Sequence, residues 1–583
     1  MKLQPLVKSY LPVILFYLVI AIVFTYPLIL NFSSHIPGGE EDAPTHVWLL
    51  WWFKYSLFDA HINPIFTDYI YYPQVINRTF DIHTFVNAFI SLPFQYLFGL
   101  IAASNIVFFL SFVLSGLNSF LLVAYLTKSK LAGLISGTVY AFFPYVLAQA
   151  MDNHTNLTTI WFSPLLILFL LKAFEEKKYR YALLAGLVLG LQGLNDLTYG
   201  SFNMALSGLV IAYFFIFKFR DVFNLKHLKL LLTFGVSFII IFSPMFILAL
   251  YTISKGFKPE VPLYVQSLWS ADIYYFLHPA PTNPFLGIFS RTGLVRSVES
   301  TLYLGYTTLF LAGVSIYLYK IDFLKKRLLI GLFILISGAF FILSLGPWLH
   351  FFGNDTKIPL PFIIYQLLPL IGGIQEPMRF QPLTMLGLAT LVGFSVSFIL
   401  TKIRIRVAGY AFVALTITFI LIEYIPTPLP TTDMTIPEVY SQIKADPTDF
   451  SVLDIPVGWN TGNFLFGFGP VGTLQFYQSG HEKKIFRGTV ARLPIQNVFY
   501  YKTIPLLKYI AQPDRVPDKD DTNKELVRKT FTDLKVKYIL IHKHFFREGS
   551  NKTLGDAELL ISEVLGAKKF YDQENIMGYR FDF

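Results

Sequence analysis

The sequence predicts an all-α domain that crosses a membrane many times, followed by a small α/β domain outside it. Three observations predict this: an apolar composition, the spacing of long apolar runs, and the placement of basic residues between them. Of 583 residues, 54% are hydrophobic and 14% charged, with a mean hydropathy of +0.54. Such a chain cannot cover a water-soluble surface, so lipid is its main solvent.

Eleven apolar runs are long enough to cross a hydrocarbon core about 30 Å thick. They lie near 9–30, 104–127, 131–150, 157–174, 181–198, 200–217, 228–251, 301–319, 327–346, 380–401 and 407–425. The first follows Lys2 and Lys8 and lacks a small-residue cleavage pattern before Asn31, so it reads as a retained anchor with a cytoplasmic N-terminus. Two further segments are ambiguous: 82–101, with His83, Asn87, Pro93 and Gln95, and 359–372, with Pro359, Pro361 and Pro369. If neither crosses, the basic runs after residues 127, 176, 217, 324 and 401 all fall on the side of Lys2 and Lys8. Both segments are therefore expected to be interfacial or re-entrant on the outer side, where protein or a water-filled cavity covers their backbone.

This topology sorts the loops. The outer ones are 31–103, 151–156, the Asn195-Asp196 turn, 252–300, 347–379 and everything after Tyr424. In the first, the stretch 46–58 carries Trp48, Trp51, Trp52 and Phe53 and is expected to be a helix lying in the membrane interface, where indoles prefer to sit. The chain divides at 425/426. After the linker prolines Pro426, Pro428 and Pro430, strand-like runs at 452–456 and 536–542 and helical periodicity at 438–444, 523–534 and 556–565 predict a small extracytoplasmic α/β domain.

Composition also excludes function classes. The formal charge is +10, but most of the excess lies in juxtamembrane loops, where it meets lipid headgroups; nucleic acid is not an expected partner. With no cysteine in the chain, disulfides, thiolate metal sites and cysteine nucleophiles are all excluded. No phosphate-cradling glycine loop, nucleophile-elbow serine or zinc-spaced histidine pair is present.

The leading candidate for chemistry is Gly38-Gly39-Glu40-Glu41-Asp42 with His46, which sets three carboxylates and an imidazole just outside the first span. Carboxylates near headgroups face conditions that oppose ionisation, so function is a reasonable default there. The alternative is a solvated loop in which Asp42 caps the helix starting near Pro44 or Thr45. On these residues the sequence resembles the GT-C superfamily of membrane glycosyltransferases, which use polyprenyl-phosphate-linked sugars. The first span is followed by a large outer loop with an acidic pair, matched by Glu40 and Asp42 as acid, any residue, acid; a multi-span core and an external C-terminal domain follow. Stretches 42–52, 141–154, 376–380 and 477–492 are also similar to a broad group of prokaryotic polytopic proteins near these enzymes.

The resemblance implies an enzyme that moves a sugar from a lipid-linked donor to a glycan, lipid or protein acceptor on the outer face of the cell membrane. Asp42 would serve as base or metal ligand, with inversion at the anomeric carbon and polyprenyl phosphate leaving; Glu40 and His46 stand beside it. A carboxylate with a pKa near about 4 is a weak base that desolvation strengthens. The leaving phosphate needs positive charge, which arginine supplies in forked geometry. Arg379, opening a span after Gln375-Glu376-Pro377, is the first candidate, against the alternative that it pairs with Glu376. Arg291 and Arg296, in the loop with Asp272 and His278, are the second.

Asp152 and His154 at an outer span end, and Asp196 between two apolar runs, are further substrate candidates, each weighed against a plain turn-forming role. A divalent Mg or Mn site assembled from Asp42, His46, Asp152 and His154 requires a convergence that spacing does not reveal. The segment from Tyr477 to Arg492, with His481, Lys483, Lys484 and Arg487, is either a glycan or lipid-phosphate contact or a solvated hairpin. The rival readings are a flippase for lipid-linked glycans and a non-catalytic cell-surface assembly protein.

Overall fold

A computed structural model describes residues 3–257, 261–290, 298–321, 326–366, 373–462, 464–468, 472–512, 517–546, 551–573 and 575–582. Each of the eleven apolar runs is helical. The run at 131–150 is broken into Lys130–Phe142 and Pro144–Ala150, bent by 46°. The residue before a proline is driven out of the α region, and Phe143 accordingly adopts an extended conformation while Pro144 opens the next helix. Among the described residues, seven helices, or eight with the bent pair, are long and apolar enough to cross a bilayer by themselves. A multi-pass membrane protein follows; eleven crossings do not follow from helix length alone. In helix Leu225–Ser254 only 11% of the apolar 18-residue window is buried within the protein, which leaves an apolar surface for lipid to cover.

The ambiguous segment 82–101 forms Phe85–Phe98, 14 residues long. At about 1.5 Å per residue it is too short to cross. Of 359–372, the structure describes Phe362–Gln366 as a helix; 367–372 lie outside the described residues. The membrane core is aromatic, built on Tyr17, Phe108, Tyr140, Phe142, Phe333 and Phe394. The Tyr17 ring is wedged against Gly116 and Gly137, where a methyl group would overlap it, and its hydroxyl donates to the Leu134 carbonyl at 3.0 Å.

A second core unites two parts of the chain that are far apart in sequence. Ile36, Val47, Trp48, Trp51, Trp52, Ile70 and Tyr71 from the loop after the first apolar run pack with Val452, Ile455, Trp459, Tyr501 and Ile541 of the tail. Strand His35–Pro37 pairs antiparallel with Thr431–Asp433, and Trp48 Nε1 donates to Gln478 Oε1 at 2.9 Å. This corrects the expectation of an interfacial tryptophan helix. Helix Ala43–Lys54 does form, but Trp48, Trp51 and Trp52 are buried under the tail, because its apolar surface offers a drier partner than the headgroup region.

The tail is α/β as expected. Its main sheet runs in the order Lys484–Ile485, Ser451–Ile455, Val536–His542, Ile576–Arg580, Lys568–Gln573, the first three parallel and the last two antiparallel. Helices Glu438–Lys444 and Lys524–Asp533 match the periodic segments. The alternating Phe464, Phe466 and Phe468 fall on and around strand Leu465–Gly467, which pairs with Gly458–Asn460.

Candidate functional site

Two connections between apolar helices meet, the loop after the first apolar run and the turn at 151–154. Gly38, at φ +97°, lets the acidic loop turn against the 151–154 turn: a methyl group there would collide with Ala43 Cβ and press on the Met151 and Asp152 backbone. Asn153 Nδ2 donates to the Ala43 carbonyl at 3.4 Å. The tail grips the same loop from the other side. Gly38 N donates to the Pro430 carbonyl at 2.8 Å, Gly472 N to Glu41 O at 2.8 Å, and Thr473 N to Glu40 O at 3.2 Å. Thr432 Oγ1 donates to Gly38 O at 2.6 Å.

Held this way, Asp42 Oδ2 lies 3.8 Å from His154 Nε2. Asp42 occupies the N-cap position of Ala43–Lys54, yet its side chain makes no capping bond; it turns instead toward the imidazole. The His154 ring lowers the Asp42 carboxyl below the usual range, outweighing partial burial. His154 is itself oriented by Gln149, whose Oε1 is 2.6 Å from its Nδ1, and its ring centroid is 5.3 Å from that of His46. His46 is buried; burial and the neighbouring His154 push it down to about 3, so it stays neutral at ordinary pH. Asp152 is raised by burial. Asp42 remains open, with 56% of its side chain exposed. The Glu40 side chain is exposed, and this residue meets the tail through its carbonyl.

Arg379, in the short helix Pro377–Phe380, contributes to the field felt by Asp42. Its Nε and Nη2 donate to Glu299 Oε1 at 3.0 and 2.7 Å, and Nη1 lies 3.2 Å from Glu376 Oε2. Tyr145 donates to the other Glu299 oxygen at 3.1 Å. The pairing with Glu376 is therefore present, and a second carboxylate adds to it. Asp196 is a helix cap: its Oδ1 accepts from Tyr199 N at 2.7 Å and its Oδ2 from Asn156 Nδ2 at 2.9 Å. His278 stacks on Tyr274, and Asp272 accepts from the backbone of Tyr274, Phe352 and Gly353. Arg291 and Arg296 lie outside the described residues.

A groove of about 470 Å³ runs between helices Leu197–Phe217 and Leu225–Ser254, lined by Met204, Phe238, Phe242, Phe246 and Ala249. Arg492 is the charged residue among its described lining. It reaches from the tail and donates to Gln375 Oε1 at 2.7 Å, one residue from Glu376. Sequence reading placed Arg492 in a possible lipid-phosphate segment without locating it, and missed Glu299, Gln149 and Tyr145. A lone acid shortly before an apolar run, and a glutamine closing one, were the available signals.

The expected metal set does not assemble. Among the described residues, no three His, Asp or Glu side chains are grouped as metal ligands; of the expected set, the structure records Asp42 Oδ2 and His154 Nε2 at 3.8 Å.

Residues 83–248 match the family model described as dolichyl-phosphate-mannose-protein mannosyltransferase. The chain is similar in structure to the Archaeoglobus fulgidus oligosaccharyltransferase in its apo form, with a TM-score of 0.51, 14% identity, and coverage of 99% of this chain and 75% of that one. The same enzyme tethered to an acceptor peptide containing the NVT sequon gives 0.50 at 13% identity, over 99% and 74%. The mycobacterial arabinofuranosyltransferase AftD gives 0.50 at 12% identity, over 100% of this chain and 41% of that one. No curated protein sequence matches the chain.

Proposed function

We propose that this protein is a GT-C-type glycosyltransferase that moves a sugar from a polyprenyl-phosphate donor to an acceptor on the outer face of the cell membrane. The observation that carries this reading is the meeting of Asp42 with His154, two residues from separate outer loops, in the electrostatic reach of Arg379. The dolichyl-phosphate-mannose family match over 83–248 supports a lipid-phosphate donor.

In the proposed reaction an acceptor hydroxyl oxygen bonds to the anomeric carbon as the bond from that carbon to the phosphate oxygen breaks. The Asp42 carboxylate takes the hydroxyl proton, and polyprenyl phosphate departs with the electron pair, inverting the centre. His154, held through Nδ1 by Gln149, keeps its other nitrogen toward Asp42 and orients the base. The donor chain lies along the groove, with its phosphate toward Arg492 and the positive edge of the Arg379 cluster. The reading comprises a membrane domain over 1–425 with eleven crossings and a cytoplasmic N-terminus, and an extracytoplasmic domain over 426–583.

The test is Asp42→Asn in purified protein supplied with polyprenyl-phosphate sugars. A loss of about 10²- to 10⁴-fold in transfer, with unchanged thermal melting, is expected from removing a general base. Undiminished transfer by the variant would remove Asp42 from the chemistry.

A further inference from the structure

Between the tail of one outer loop and the last span lies a short turn, Pro284 to Phe289, whose apolar side chains point away from the protein. Phe285 is 59% exposed, Ile288 87% and Phe289 68%. A soluble surface scatters such residues singly; here three sit within five positions, and no residue from Pro279 to Ser290 carries a charge.

The turn is built rather than loose. The Asn283 side-chain oxygen accepts from the backbone of Phe285 at 2.9 Å and Leu286 at 2.7 Å. Gly287 N donates to Asn283 O at 2.9 Å, and a methyl group at Gly287 would collide with the Pro281 carbonyl. The N–H groups of Phe285, Leu286, Gly287 and Phe289 are thus bonded within the turn, which lowers the cost of placing it away from water.

Its position fixes the partner. Asn283 Nδ2 donates to the carbonyls of Ile422 at 3.0 Å and Glu423 at 2.9 Å, the last turn of span Arg406–Tyr424. Thr427 N donates to Thr282 O at 2.7 Å. That span presents Leu415 and Phe419 outward, 58% and 56% exposed, so the turn continues a lipid-facing surface at the level where the span ends. Beside it, Tyr306, half exposed at the start of the next helix, donates to Leu277 O at 2.9 Å, with its ring at the depth tyrosines favour. We propose that residues 284–289 are inserted into the outer leaflet and that their partner is the lipid surface itself: a short apolar foot, pinned by Asn283 to the end of span Arg406–Tyr424, that seats the loop against the bilayer.

The absence of cysteine makes the test clean, since one introduced thiol reports one site. Ile288→Cys and Phe289→Cys would each carry a nitroxide in nanodiscs of phosphatidylcholine and phosphatidylglycerol. Phe310→Cys, on a lipid-facing helix position that is 72% exposed, and Asp520→Cys, exposed on the tail, are the references. The measured quantity is the ratio of collision rates with oxygen, which partitions into lipid, and with a water-soluble nickel chelate. Ratios at both foot positions matching F310C and several-fold above D520C are expected. Ratios matching D520C, or a label shielded from both agents as a protein partner would shield it, overturn the proposal.

Discussion

Among the described residues two aspartate–histidine pairs are recorded, and they differ in separation and in burial. Asp42 and His154 stand 3.8 Å apart with the aspartate side chain 56% exposed. Asp454 and His542 are 2.9 Å apart with both side chains fully buried. Around Asp454, Tyr440 donates to the same oxygen at 2.5 Å, and burial, which opposes ionisation, is outweighed by His542 so that the carboxyl stays below its usual range. The tail pair sits inside a core that nothing enters; the loop pair is held from outside by backbone bonds, with the carboxylate left unbonded and open. The same two residue types serve folding where they are enclosed and are available for chemistry where the scaffold keeps them apart.

The largest expected effects test that contrast directly. Asp454→Ala leaves a buried imidazole without its partner and is expected to cost about 3–5 kcal/mol of stability, read as a fall in melting temperature. Asp42→Asn is expected to leave melting unchanged while abolishing transfer. If both variants melted early, the two pairs would not be different in kind.

A second effect separates the regions by pH. Burial pushes His481 down to about 4, and His46 to about 3, against about 6.5 in an unfolded chain. Between those values the unfolded state binds more protons, so the stability these groups contribute is present above about pH 6.5 and falls as pH drops toward 4. Melting temperature is expected to decline across that window, and His481→Gln to flatten the part of the slope that comes from the tail.

Smaller effects come from the scaffold. Gly38→Ala strains a left-handed backbone position and crowds Ala43; an activity loss of about tenfold with a stability loss of about 1–2 kcal/mol is expected. Arg492→Gln is expected to raise the donor KM more than it lowers kcat, because Arg492 lines the groove proposed to hold the donor chain. Smallest of all, Glu40→Gln should change transfer by less than about twofold, since Glu40 meets the tail through its carbonyl and its side chain is exposed. A large effect would restore Glu40 to the chemistry.

Much of the architecture was legible in the residues. Apolar runs mark helices because lipid selects for length and hydropathy, and every one of the eleven runs is helical. The strand at Val536–His542 and the helix at Glu438–Lys444 carry local periodicity that survives folding. Asp42 stood out as a candidate from its place after the first apolar helix. The tryptophan helix was misread, because aromatic content alone does not say whether lipid or protein will cover it. Arg379 could be paired with Glu376 from spacing, but not with Glu299, eighty residues away.

The sequence by itself determined which segments are helical and where a membrane is required, since these follow from hydropathy and local backbone preference. Only the tertiary structure decided which polar groups meet. The Asp42–His154 approach, the Glu299–Arg379 clamp and the entry of Arg492 into the groove join residues separated by more than seventy positions, and such pairs are fixed by packing that no local pattern encodes.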